Sequence, residues 1–95
     1  MAFWVYILKC SDGSFYTGHT DNLENRVAEH QAAVHRGYTY SRRPVTFMWS
    51  ETFPSREEAL AAELQIKPWN RKKKQALING DWSLVSSSGK KSFQP

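Results

Sequence analysis

Residues 3–18 read FWVYILKCSDGSFYTG, and this stretch decides the fold. Residues 3–10 are apolar, aromatic and β-branched, which is the composition of a buried strand. The Ser-Asp-Gly of residues 11–13 follows, and residues 14–18 form a second strand-like run. A three-residue loop that ends in glycine is a favoured hairpin connection, because glycine adopts the left-handed conformation that closes it. We therefore predict a β-hairpin.

The length of this loop decides which side chains share a face of the hairpin. A loop of residues 11–13 pairs Leu8 with Tyr16, and it also pairs Tyr6 with Gly18. Opposed residues lie on one face, so both phenols would lie on the same side of the sheet. A two-residue Asp-Gly turn would shift the register by one and separate them. We expect the longer loop, with Gly18 either leaving space for a ligand beside Tyr6 or ending the strand.

Capping signals and prolines divide the rest of the chain. Asp21 with Glu24 and Ser55 with Glu58 are spaced as capping boxes, each at the start of a helix. Pro68 stops or kinks the second of these helices. The predicted elements are a helix from Asp21 to about His35, a strand over Val45–Phe53, a helix from Ser55 to Pro68, and a basic helix over Asn70–Ile78 that Asn79-Gly80 ends.

The predicted order is strand, strand, helix, strand, helix, helix. It indicates an α/β (α+β) domain in which helices flank a small three-stranded antiparallel sheet, in the order ββαβαα. The 95 residues suffice for one such domain. We assign residues 1–80 to it, and we expect residues 81–95, with their Ser-rich run, to be a mostly flexible tail.

Composition narrows the class of protein and its compartment. A hydrophobic fraction of 40% with 23% charged residues is typical of a globular domain that folds in water. No apolar run reaches the roughly 20 residues of a membrane span, and Met1–Lys9 does not resemble a signal peptide. The single cysteine, Cys10, excludes an internal disulfide framework or a cysteine-based zinc site. We expect a cytoplasmic location and no membrane partner.

Positive charge is concentrated in the last third of the chain. Residues 1–64 carry a net charge of −2 and residues 65–95 a net charge of +6, which together give the overall +4. Such a region favours an anionic partner, of which nucleic acid is the commonest, although a solvated lysine-rich face has the same composition. The candidate nucleic-acid contacts are these basic residues together with Gly18 of the hairpin, namely Gly18, Lys67, Arg71, Lys72, Lys73 and Lys74.

Two short motifs resemble those of the GIY-YIG nuclease family. Trp4-Val5-Tyr6 stands where the family has GIY, and Tyr16-Thr17-Gly18 where it has YIG. The family's helical arginine matches Arg26, and its metal-binding glutamate matches Glu63. The resemblance covers residues 3–78 and is greatest with the small stand-alone members related to the nuclease half of bacterial excision-repair incision proteins. It implies the ββαβαα fold, a nucleic-acid substrate and a divalent metal.

The sequence departs from the family pattern at positions that carry no chemical group. Trp4 replaces the first glycine of GIY and Thr17 replaces the isoleucine of YIG. Asn70 is the candidate for a late asparagine that many members use. The chain therefore retains the residues that match the reactive side chains of the family.

The resemblance places Tyr6 and Tyr16 at the attacking water, and we assign water activation to Tyr6 and support to Tyr16, with the two roles exchangeable. Arg26 and His30 are spaced i, i+4, so one of them is expected to face the tyrosines, and we expect His30 to pack against or orient a phenol rather than to act as the base. A free phenol has a pKa of about 10, so about one molecule in a thousand is ionised at neutral pH. Lowering that pKa by three units requires roughly 4 kcal/mol, which a nearby arginine and a divalent ion could supply. A phenol that only positions water needs no shift.

Arg26 and Glu63 would act on the phosphate and the metal. The resemblance implies that the guanidinium of Arg26 binds phosphate oxygens; the alternative is a surface ion pair with Glu29. It also implies that Glu63 holds Mg²⁺ or Mn²⁺, since hard cations prefer carboxylate oxygens; the alternative is an exposed helix glutamate. Lys67, four residues after Glu63, would contact phosphate or pair with that glutamate.

These inferences predict a metal-dependent endonuclease that hydrolyses phosphodiester bonds, with DNA as the expected substrate and repair or recombination as the setting. A protein partner or a distorted substrate would supply targeting, because phosphate contacts carry no sequence information. The alternative is a non-catalytic nucleic-acid-binding module with the same fold. A weaker alternative is a protein-interaction domain that uses exposed tryptophans.

Overall fold

Three strands and three helices form the structure, a computed structural model that describes residues 2–32 and 37–81. The sheet is antiparallel with the order β2-β1-β3, so β1 is central and β2 is an edge strand. No helix in the described ranges is long and apolar enough to cross a membrane. The elements are β1 Phe3–Lys9, β2 Phe15–Thr20, α1 Leu23–Ala32, β3 Thr46–Phe53, α2 Arg56–Ile66 and α3 Arg71–Asn79.

The predicted ββαβαα order and three-stranded antiparallel sheet are confirmed. β2 continues two residues beyond its predicted end, to Thr20, and α2 ends at Ile66, two residues before the proline. The predicted end of the first helix, near residue 35, and the predicted tail beyond Asp81 lie outside the described residues.

The hairpin loop has the predicted three-residue length. The N–H of Cys10 donates to the carbonyl of Ser14 at 2.8 Å, and the N–H of Gly13 donates to the carbonyl of Cys10 at 2.9 Å. Gly13 has φ +86°, the left-handed conformation that the loop requires. Tyr6 consequently pairs with Gly18, and the register that places both phenols on one face is confirmed.

The structure confirms the predicted cap of α2 and shows a different cap for α1. The hydroxyl of Ser55 accepts a hydrogen bond from the N–H of Glu58 at 3.2 Å, as predicted. At α1 the cap is Asn22, whose side-chain oxygen accepts from the N–H of Asn25 at 3.1 Å. The prediction of Asp21 as the cap is therefore wrong by one residue, and its carboxylate pairs with Arg56, the first residue of α2.

Side chains of β1 alternate between two packed layers. Val5 and Ile7 belong to the larger core, which they form with residues of α2 and α3. Tyr6 and Leu8 face the other way, where side chains of α1 and of the loop before β3 pack on them. α2 contributes four buried residues to its layer, whereas no residue of α1 is fully buried. The sheet thus has a firmly covered face and a more lightly covered one.

Candidate active site

Tyr6 and Tyr16 lie side by side on the α1 face of the sheet, with ring centroids 6.2 Å apart. The Tyr6 ring lies across Gly18, where a Cβ atom would be only 2.6 Å from the phenol oxygen and 2.8 Å from Cζ. Our expectation that Gly18 leaves space for a ligand is thus corrected, because the Tyr6 ring fills that space. Gly18 is buried and serves close packing of this ring.

A chain of hydrogen bonds holds the buried hydroxyl of Tyr6. His30 Nε2 is 2.9 Å from the Tyr6 oxygen, and His30 Nδ1 is 2.8 Å from the hydroxyl oxygen of Thr39. In neutral imidazole one nitrogen donates and the other accepts. A phenol that donates to Nε2 therefore fixes the tautomer in which Nδ1 donates to Thr39. His30 contacts a phenol, as we expected.

Burial raises the pKa of Tyr6 above its ordinary value of 10.0, with further increases from the nearby phenol of Tyr16 and carboxylate of Glu63. The guanidinium of Arg26 lowers it, but by less than burial raises it. The side chain is completely buried, so its phenolate would lose hydration without enough compensation. The arginine that we expected to favour ionisation is outweighed here by desolvation.

This shift predicts that the protein loses stability in alkali. Between pH 10 and the higher folded pKa of Tyr6, the unfolded chain gives up a proton that the folded chain retains. The free energy of unfolding should then fall by up to about 1.4 kcal/mol per pH unit from this group. In urea unfolding between pH 7 and 11, Tyr6→Phe should remove that part of the slope, and Tyr40→Phe should keep it. Equal slopes in all three proteins would contradict the assignment.

Tyr16 lies in an open cleft beside the buried Tyr6. The cleft has a volume of about 120 Å³. The Tyr16 ring is 5.0 Å from the His30 ring and stacks at 6.0 Å on Tyr38, with 25° between the planes. The residues that line the cleft are Tyr16, Arg26, Glu29, His30, Gly37, Tyr38 and Thr39.

Arg26 brings a positive charge to this cleft. Its Nε donates to Glu29 Oε1 at 3.2 Å, which is the ion pair we considered as an alternative. The pair does not exclude a role with phosphate, because a guanidinium has five N–H donors and this bond engages one. The side chain is 42% exposed, so an anion in the cleft can reach it.

Glu63 lies on the other face of the sheet, at its β2 edge. It is only 7% exposed. The Nδ1–H of His19 donates to Glu63 Oε1, and Lys67 Nζ donates to Oε2 at 3.3 Å. His19 pairs with Val5 in the register and therefore shares the face that α2 covers. Glu63 does not line the Tyr16 cleft, but its charge acts on Tyr6 across the edge strand.

The basic residues of α3 differ in their surroundings. Arg71 Nη1 donates to the carbonyl of Gly13, and Lys73 Nζ is 3.9 Å from the centre of the Trp69 ring. Lys72 is exposed, whereas Lys74 is 7% exposed. The basic run that looked uniform in sequence thus consists of contact-forming, exposed and buried members.

A family model described as the GIY-YIG catalytic domain matches residues 2–76. The chain belongs to the GIY-YIG family. Its relatives include UPF0213 proteins from Halobacterium salinarum, 47% identical over 78% of this chain and 96% of the relative, and from Staphylococcus haemolyticus, 45% identical over 79% and 92%. The chain is accordingly similar to these small proteins along almost their whole length.

Two solution NMR structures share this GIY-YIG fold. One, a UPF0213 protein of Bacillus halodurans, is 34% identical with a TM-score of 0.54, covering 96% of this chain and all of the other. The second, a protein of E. faecalis, is 35% identical with a TM-score of 0.58, covering 84% and 85%. GIY-YIG is a nuclease superfamily whose members generally use divalent metal ions, so the domain implies a nucleic-acid substrate.

The surroundings of Glu63 are compatible with a weakly held metal. No group of three or more His, Cys, Asp or Glu residues gathers within ranges 2–32 and 37–81. Each Glu63 oxygen already accepts one hydrogen bond, but a carboxylate has about four acceptor sites. Mg²⁺ commonly keeps several waters and takes one or two carboxylates. Glu63 can therefore serve as a single protein ligand, with water and substrate oxygens as the others.

Sequence reasoning overlooked His19, Thr39 and Tyr38. We assigned no role to His19, although it follows Gly18 of the second GIY-YIG motif directly. The predicted register pairs His19 with Val5, so strand alternation places the His19 side chain on the face of the sheet that does not carry Tyr6. This was the only signal in the sequence for its position. Thr39 and Tyr38 come from an irregular loop, and no periodicity predicts their positions.

Proposed function

We propose that this protein is a metal-dependent endonuclease that hydrolyses phosphodiester bonds in DNA, with a role in repair or recombination. The observation that carries the proposal is the cleft in which Tyr16, Arg26 and His30 meet, in a domain of a nuclease family. A cytoplasmic location and a protein partner for targeting belong to the same proposal.

Arg26 is the residue we assign to the scissile phosphate. Its planar fork matches two phosphate oxygens and keeps its charge at any working pH. Phosphoryl transfer gains most from positioning and from neutralising the charge that develops on those oxygens. The exposure of Arg26 at the cleft supports this role.

We assign the attacking water to Tyr16 and a supporting role to Tyr6, the reverse of the order we first favoured. Complete burial and a raised pKa make Tyr6 a poor base, whereas Tyr16 borders the open cleft. The Tyr16 hydroxyl would accept a hydrogen bond from water and orient it, which requires no net ionisation. Tyr6, held by His30, would keep the Tyr16 ring in place.

Glu63 is the residue that would hold the metal, with His19 and Lys67 fixing its carboxylate. A bound divalent ion supplies charge stabilisation for the leaving oxygen. Lys67, Arg71, Lys72, Lys73 and Lys74 are assigned to the strand that flanks the cut, where phosphate contacts give affinity that weakens with salt. For Gly18 we propose support of the tyrosines rather than contact with nucleic acid.

A nicking assay tests the proposal on plasmid, flap, junction and single-stranded DNA and on RNA, with Mg²⁺ or Mn²⁺ and with EDTA. The wild-type protein should cut DNA only with metal. Tyr16→Phe should slow cutting about 100-fold, because it removes the group that orients water. Tyr40→Phe, the matched control, should cut at the wild-type rate. Binding without cutting on every substrate would identify a non-catalytic nucleic-acid-binding module instead.

A further inference from the structure

An open groove of about 370 Å³ separates the β1–β2 loop from the first turn of α3. Trp69 and Phe15 supply aromatic rings to it, and Arg71 and Lys74 supply positive charge. The groove contains none of the residues that line the Tyr16 cleft. Its lining residues are Asp12, Gly13, Ser14, Phe15, Trp69, Arg71 and Lys74.

Lys74 is the unusual member of this groove. The residue is 7% exposed, and among the described residues its ammonium has neither a hydrogen-bond nor an ion-pair partner. A charge that is largely withdrawn from water and has no partner costs folding free energy. Burial, together with the neighbouring charge of Lys67, accordingly lowers the pKa of Lys74. An anion in the groove would provide the missing partner.

The start of α3 adds a second reason to expect an anion. The positive end of a helix dipole favours acidic residues, but the first turn of α3 has none and begins with Arg71, Lys72 and Lys73. The first N–H groups of a helix have no partner within it, and Asn70 caps one of them, that of Lys73. The positive side chains therefore add to the positive end of the helix dipole, and an anion bound there would offset both.

The acidic residue of the groove does not cancel this charge. Hydrogen bonds from Ser14, followed by the charge of Arg42, lower the pKa of Asp12, so its carboxylate is ionised. Arg42 lies 3.1 Å from that carboxylate and offsets its charge. Lys74 and Arg71 are left as the excess positive charge of the groove.

We infer that this groove is a phosphate-binding subsite, with Lys74 as the main contact and Arg71 as the second. The inference rests on the proposed function, from which it takes a nucleic-acid strand as the phosphate source. Lys67 lies between this subsite and Glu63. Its ammonium donates a hydrogen bond to Glu63, and its positive charge is close enough to Lys74 to lower the pKa of that residue. A strand whose phosphate lies in the groove could thus extend towards Glu63.

Thermal unfolding of the full chain in sodium phosphate, against sodium chloride of equal ionic strength, tests the subsite directly. Phosphate should raise the Tm of the wild-type protein and of Lys9→Met, because a ligand that binds only the folded state stabilises it. It should not raise the Tm of Lys74→Met. Lys9→Met is the matched control, since it removes the same charge from an exposed residue that does not line the groove and has no assigned phosphate contact. Equal phosphate effects in all three proteins would overturn the inference.

The same measurement in chloride tests whether Lys74 is a structural requirement. Methionine keeps the apolar stem of the side chain and removes the unpaired ammonium, so Lys74→Met should raise the Tm by about 4 °C. A Tm below that of the wild-type protein, or failure to fold, would show that Lys74 is needed for packing and would overturn the inference.

Oligonucleotide binding separates the two phosphate sources. In a Glu63→Gln background, which leaves the strand uncut, Lys74→Met should weaken binding of a 12-nucleotide DNA about tenfold. The same loss with and without a 5′-phosphate supports an internal phosphodiester, and a loss confined to the 5′-phosphorylated strand supports a terminal phosphate. Unchanged affinity for both strands overturns the subsite even if the wild-type protein cuts DNA. Phosphate binding that depends on Lys74, without any cutting by the wild-type protein, overturns the nuclease assignment alone.

Discussion

Replacing Glu63 with glutamine is expected to reduce metal-dependent cutting about 1,000-fold, which corresponds to about 4 kcal/mol of transition-state stabilisation. Glutamine keeps the length of the side chain and an oxygen that can accept from Lys67. It removes the negative charge, the property that a divalent cation requires in a ligand. Single-turnover cutting at saturating protein gives the rate, and fluorescence anisotropy of the same DNA gives the affinity.

The Glu63→Gln substitution should lower the cutting rate and abolish metal binding without impairing folding. Divalent metal should raise the Tm of the wild-type protein but not of Glu63→Gln, because only the carboxylate provides the site. Glu57→Gln, an exposed change on the same helix, should retain both the rate and the metal effect. If Glu63→Gln cuts at more than a tenth of the wild-type rate, Glu63 does not hold a metal that the reaction needs.

Gly18→Ala is expected to destabilise the protein by about 2 kcal/mol and to lower its Tm by about 10 °C. The new methyl group would lie 2.6 Å from the Tyr6 oxygen and 2.8 Å from Cζ, so the ring must move. The ring is completely buried and bonded to His30, so its displacement should also disturb the cleft and slow cutting. Urea unfolding and the nicking assay measure the two effects.

A double-mutant cycle tests whether the clash with Tyr6 is the cause. Leucine at position 6 lacks both the oxygen and Cζ, so Gly18→Ala should cost at least 1 kcal/mol less in a Tyr6→Leu background than in the wild-type protein. Strictly additive losses would mean that the alanine acts on the backbone of β2 instead.

The sequence was sufficient to predict the hairpin because its determinants are local. Gly13 at the end of a three-residue loop specified the register, and the register specified that Tyr6 and Tyr16 share a face. The cap of α1 was predicted one residue early because Asp21 and Asn22 are both good capping residues. Local propensity does not distinguish the two, and the contact that Asp21 makes with Arg56 of α2 is not visible in the local sequence.

The candidate site was only partly predictable for the same reason. Strand alternation placed the tyrosines together, but it could not indicate that the Tyr6 ring would lie across Gly18 and be completely buried. It also could not show that Glu63 approaches from the opposite layer, since that depends on how α2 packs against the edge strand. The resemblance of the short motifs pointed to these residues, but it could not give their burial or their neighbours.

The two faces of the sheet are covered unequally, so the proposed catalytic groups on α1 are expected to be more mobile than the one on α2. Arg26 and His30 belong to α1, which buries no residue fully, whereas Glu63 belongs to α2, which buries four. Segments with few buried contacts open at lower free energy than the rest of a domain. On the proposed assignment, α1 with Arg26 would adjust to an incoming strand while the Glu63 carboxylate on α2 stays fixed, so that α1 would accommodate scissile phosphates presented at different angles.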